Sequence, residues 1–69
     1  MKKKQLIEVN IPILAQDNTE IGTLSQRFNS RSEVKRRIFM LEGEGLKLRD
    51  PFNEEYWSVV EVDDETDLN

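Results

Sequence analysis

The sequence predicts a small α+β domain with one principal helix and β-strands on either side of it. Three observations carry that prediction. Residues 7–13 place β-branched side chains at every second position, with Glu8, Asn10 and Pro12 between them, the pattern of a half-buried strand. From Ser30 the pattern changes to a helical period behind a Ser-x-x-Glu box, which opens a helix. Residues 46–62 return to alternation, with Tyr56, Trp57, Val59, Val60 and Val62 supplying the aromatic and β-branched character of strands.

The 69 residues allow one domain. A domain of that size buries about 60% of its unfolded-chain surface, so its stability margin is thin. The sequence contains no Cys and no His, which excludes disulfides, thiolate chemistry and the usual zinc ligand sets. Its longest apolar runs, Ile38-Phe39-Met40-Leu41 and Ile13-Leu14-Ala15, are far short of a membrane span, so no membrane partner is expected. Met1-Lys2-Lys3-Lys4 is basic like the start of a signal peptide. Glu8, Asn10 and Pro12 interrupt the apolar stretch that would have to follow. The expected location is cytoplasmic.

Charge is unevenly placed. Residues 1–49 hold all ten Lys and Arg against six acids, a balance of +4, and residues 50–69 hold eight acids and no base, a balance of −8. The net charge of −4 thus hides a basic part and an acidic part, either of which can steer a charged partner.

Taken in order, residues 5–14 read as a strand with Ile7, Val9, Ile11 and Ile13 on one face. Pro12 cannot donate to a ladder and marks an edge strand or a strand's end. A short first helix is the competing reading, weakened by the β-branched residues and by Pro12. Residues 15–20 are turn chemistry, with Asp17 and Asn18 suited to left-handed backbone. Residues 21–28 fit two readings, a second strand returning beside the first or a short helix carrying Leu24 and Phe28. Ser30-Arg31-Ser32-Glu33 and the Val34, Ile38, Leu41 stripe define a helix over 31–42, stopped by Gly43 and Gly45. Leu46 to Arg49 and Glu55 to Val62 read as the two strands of a C-terminal β-hairpin over 46–62. Asp50-Pro51-Phe52-Asn53 is the turn between them. The domain is expected over 1–62, with an acidic flexible tail over 63–69.

The helix carries the clearest functional signal. Arg31, Lys35, Arg36 and Arg37 crowd its first half. A helix that projects a basic N-terminal half suits groove reading, because leading residues of a recognition helix meet base edges. Residues 24–49, from Leu24-Ser25-Gln26-Arg27-Phe28 through the helix to the Leu41-Glu42-Gly43-Glu44-Gly45-Leu46 exit and Lys47-Leu48-Arg49, resemble the helix-turn-helix and first wing strand of winged-helix DNA-binding domains. Phage excisionase-like small regulators show a similar pattern. The resemblance covers about 40 residues, from Leu24 to Val62, and rests on pattern rather than an invariant signature. It implies a winged-helix-like fold and a role in transcription regulation on double-stranded DNA. In that role Arg31, Ser32, Lys35 and Arg36 would face the groove, and Lys47 and Arg49 would reach phosphate. The other architecture the residues allow is β-β-α-β-β, with an N-terminal hairpin.

A second function fits the acidic half. A small protein-binding modulator or inhibitor would set Glu54, Glu55, Asp63 and Asp64, with Phe39 and Met40, against a basic surface of a larger protein, as a charge mimic of nucleic acid does. Against both functions stand ordinary readings. Basic helix clusters are mostly solvated, Trp57 is more often a core anchor than a base-stacking platform, and Phe39 and Met40 are expected in the core. An enzyme is not expected. No His can serve as a base tuned near neutrality, and Ser25, Ser30 and Ser32 have no evident activating partner. No cofactor and no metal site is expected, and nothing in the residues decides between a monomer and a homodimer.

Overall fold

The computed structural model describes residues 3–63. Within them the chain runs β1 (Lys3–Leu14), β2 (Glu20–Phe28), α1 (Arg31–Gly43), β3 (Lys47–Leu48), a single 3-10 turn (Glu54–Tyr56) and β4 (Trp57–Asp63). This is the expected α+β domain with one helix, in its β-β-α-β-β form. The strands make one antiparallel sheet centred on β1, with β2 on one side and β3 and β4 on the other.

The β1–β2 turn is built from the residues the sequence singled out. Asn18 has a φ of 71°, a left-handed conformation that Asn tolerates. The Asp17 carboxylate accepts the Thr19 N–H at 3.0 Å. Residues 21–28, which fitted two readings, are strand. Leu24 pairs with Ile11 and Phe28 with Ile7, so the short helix that the winged-helix resemblance implies here is not formed. Pairing puts Leu24 and Phe28 on the same sheet face as the β1 isoleucines, where their apolar side chains are covered.

Pro12 occupies neither an edge strand nor a strand's end. It lies inside the central strand, opposite Thr23. The reason is a gap on its other side. The β4 ladder stops at Val9↔Trp57 and the β3 ladder begins at Ile13↔Leu48. The Pro12 carbonyl points into that gap, where the Arg49 N–H donates to it at 3.0 Å. In a strand a residue's N and C=O point to the same side, so the missing N–H is also directed where no ladder needs it.

The C-terminal hairpin is the second correction. β3 and β4 both pair with β1, end to end along the same side, and not with each other. The 12-residue length of β1 provides room for both. The turn at 50–53 and the 3-10 turn that follows redirect the chain between them. Glu55 and Tyr56 belong to that 3-10 turn, and the strand begins at Trp57. Asp63, assigned to the tail, closes β4 by pairing with Lys3. The remainder of the tail, residues 64–69, lies outside the described residues.

α1 begins and ends with specific capping chemistry. The Ser30 Oγ accepts the Glu33 N–H at 3.3 Å, as the capping box requires. Glu33 reaches past Ser30 to accept the Asn29 N–H, also at 3.3 Å. At the other end the Leu46 N–H donates to the Leu41 carbonyl and the Gly45 N–H to the Glu42 carbonyl, a Schellman motif. Gly45 has a φ of 102°, a conformation that side chains with a Cβ rarely adopt.

The core lies between one sheet face and one helix stripe. Val9, Ile11, Val34, Ile38, Leu48 and Trp57 are buried, with Ile7, Ile13, Leu24, Phe28, Leu46 and Tyr56 packed against them. The Trp57 indole N–H donates to the Pro51 carbonyl at 3.0 Å, so this aromatic is the core anchor that its residue type favours. Among the described residues no helix is long and apolar enough to cross a membrane.

Candidate docking surface on the helix

A helix advances about 100° per residue, so packing Val34 and Ile38 inward sets the direction of every other α1 side chain. Arg31, Lys35, Phe39 and Glu42 follow one flank. Glu33, Arg37 and Met40 follow the other, with Ser32 and Arg36 outermost. Contacts orient these flanks on the sheet. On the first, the Arg31 guanidinium meets the Glu54 carboxylate at 3.2 Å and lies 5.9 Å from the Trp57 ring centroid. The first flank therefore looks toward the β3–β4 connection. The second overhangs β2 and forms with it an open groove of about 270 Å³, lined by Phe28, Glu33, Arg36, Arg37 and Met40.

The candidate groove-reading residues are divided by this arrangement. Ser32 and Arg36 are exposed on the outer face and Lys35 is exposed on the first flank. Arg31 is exposed too, but its charge is engaged by Glu54. Lys47 donates to the Gln16 carbonyl at 3.4 Å and its strand lies across the sheet from β2. Arg49 is exposed next to it in the chain.

Phe39 and Met40 are not in the core. They are 67% and 50% exposed, because the sheet covers a single stripe of the helix and no further element packs on its outer side among the described residues. Phe39 has instead found Phe52, with ring centroids 5.6 Å apart and planes tilted by 50°, within the favourable range for aromatic pairs. Phe52 is itself 42% exposed. Its part in the surface was not evident from the sequence. The available signal was an aromatic residue inside an Asp-Pro-Phe-Asn turn, where polar residues predominate.

The acidic candidates separate likewise. Glu54 faces Arg31, Glu55 is exposed on the 3-10 turn, and Asp63 pairs with Lys3 at 3.1 Å. Asp64 lies outside the described residues. The far sheet face carries its own polar ladder. Arg27 Nε donates to Glu8 at 2.8 Å and the Ser25 hydroxyl donates to Asn10 Oδ1 at 2.8 Å. The hydrogen bond from Arg27, aided by one from Asn10, holds the Glu8 carboxyl below its ordinary pKa. Comparison of the chain with family models, with curated proteins and with solved structures finds no match.

Proposed function

We propose that this chain is a non-catalytic protein-binding domain that docks on a larger protein through the outer face of α1 and the 50–53 turn. The observation that carries this reading is the exposed Phe39–Phe52 pair. Covering one such side chain contributes about 1.5–3 kcal/mol, and aromatic residues and Met are enriched at protein interfaces. Glu42 stands three positions after Phe39 on the same flank, and Asp50 and Glu55 flank Phe52 in the chain. The partner surface that complements them is an apolar cleft with a basic rim. A cytoplasmic location is part of this proposal, supported by a chain without cysteine in its 69 residues.

The test is a photo-crosslinking amino acid placed at position 39 or, as a control, at Ser25 on the far sheet face, with the protein expressed in its source cells. One discrete protein adduct from position 39, lost on Phe52→Ser, is the expected result. Equal labelling from both positions would overturn the proposal.

The second reading, a DNA-binding regulator of winged-helix type, draws support from Lys35 and Arg36. Both are exposed on the uncovered helix face, and neither has a carboxylate within ion-pair distance among the described residues. Titration with random-sequence duplex DNA at about 50 and 200 mM salt tests it, since phosphate contacts weaken steeply over that range. Lys35→Ala and Arg36→Ala should each lower the salt slope by about 1. Binding indifferent to both changes would remove α1 from DNA recognition.

A further inference from the structure

β2 is an open edge. It pairs with β1 alone, so the outward half of its backbone N–H and C=O groups faces no strand among the described residues. Exposed edges are usually guarded by Lys, Pro, bulges or inward charges. From Ile21 to Phe28 this strand has one charged residue, Arg27, and its guanidinium is turned back onto Glu8 of β1. The irregularity in the ladder falls at Ile13/Leu14, opposite the start of β2, which leaves Gly22 to Phe28 regular. The strand's other charged residue, Glu20, stands at its start, before that regular stretch.

Beside this unguarded edge lies the α1–β2 groove. Its floor is apolar, with half-buried Phe28 and half-exposed Met40, and its wall is basic, with Arg36 and Arg37. Neither arginine has an ion-pair partner among the described residues, and the one groove carboxylate, Glu33, accepts the Asn29 N–H with one of its oxygens. At about 270 Å³ and open along its length, the groove is below the roughly 300–1,000 Å³ of sites that enclose small molecules. It suits side chains delivered by a neighbouring strand, whose alternate residues point to one face.

We propose that β2 and the α1–β2 groove bind an extended segment of another protein, which adds to the sheet as a further strand. An apolar side chain of that segment lies over Phe28 and Met40, and a carboxylate two positions away meets Arg36 or Arg37. Main-chain hydrogen bonds to β2 supply affinity and the groove supplies selectivity, the division of labour in strand addition. This surface lies on the opposite flank of α1 from Phe39 and Phe52, so it goes beyond the docking reading above and can fail independently of it.

The experiment is selection of random peptides of 9 residues, the length of β2, displayed on phage against the full chain, followed by synthesis of the best binder. Enriched peptides should carry an acid two positions from a large apolar residue. Backbone amide shifts on adding the synthetic peptide should fall on Gly22–Phe28 and on the groove residues Glu33, Arg36, Arg37 and Met40. Arg36→Glu with Arg37→Glu should weaken binding at least about tenfold, equivalent to 1.4 kcal/mol. N-methylation of a peptide amide on the strand-pairing side, which leaves the protein unaltered, should weaken it to a similar degree. Failure to enrich any peptide would overturn the proposal, as would binding unaffected by N-methylation. Shifts centred on Phe39 and Phe52 would overturn it as well, while supporting the aromatic docking surface.

Discussion

Trp57 ties three parts of the molecule together. Its ring is 8% exposed, its N–H meets the Pro51 carbonyl, and the Arg31 guanidinium lies over it. Trp57→Phe keeps an aromatic ring but leaves the carbonyl of buried Pro51 without its donor. The expected cost is about 1–3 kcal/mol, read as a lower urea midpoint by circular dichroism at unchanged slope. Glu8 acts through pH instead. Its folded pKa lies below the ordinary 4.5, chiefly through the hydrogen bond from Arg27. Between the two values the unfolded state holds more protons, so the Glu8 contribution is complete above 4.5 and is lost as pH falls through the lowered value. Stability followed from pH 7 to pH 2 should therefore fall less steeply below 4.5 in Glu8→Gln than in the parent. An identical acid limb would show the pair to be without effect on folding.

At the scale of elements, α1 depends on chemistry at both ends. Ser30→Ala removes the acceptor for the Glu33 N–H and should cost about 1 kcal/mol. Gly45→Ala places a Cβ on backbone at φ 102° and should cost about 1–2 kcal/mol. Ser30→Asp provides the control, since Asp caps as well as Ser and should restore the urea midpoint. The same local chemistry explains why this helix was legible in the sequence to within one residue of its end. Caps and stop signals act over a few residues, and the Asp17-Asn18 turn is as local. Strand partners are not. Alternation in 57–62 separates Trp57, which faces the core, from Val60 and Val62, which share the far face with their β1 partners Leu6 and Lys4. Tyr56, in contrast, leaves the pattern for the 3-10 turn and packs on the core. Alternation carried no information on whether β4 pairs with β3 or with β1. The gap opposite Pro12 follows from that choice, so the position of Pro12 was hidden with it. Phe39 and Met40 were misread for a related reason. Whether an apolar helical residue is covered depends on a second packing element, which no pattern within the helix reports.

The molecule as a whole has one core and little to spare. Six hydrophobic core residues are buried among the described ones, and a chain of 69 residues has roughly 3–10 kcal/mol of stability at the usual 0.05–0.15 per residue. Ile38 is 1% exposed, between α1 and the sheet. Ile38→Ala removes about 2–5 kcal/mol, a large share of that stability. Phe39, its neighbour in sequence, is 67% exposed, and Phe and Ser have similar helix propensity. Phe39→Ser loses mainly the contact with Phe52 and should therefore cost no more than about 1.5 kcal/mol. Fluorescence of the single Trp, which sits in the core, distinguishes the two variants during urea unfolding. A parent-like midpoint for Phe39→Ser, beside an early or absent transition for Ile38→Ala, would mean that Phe39 is dispensable for folding. Its apolar surface would then be free to serve docking without cost to the fold. Equal destabilisation by both changes would make the Phe39–Phe52 contact part of the core, and the docking surface would lose its central residue.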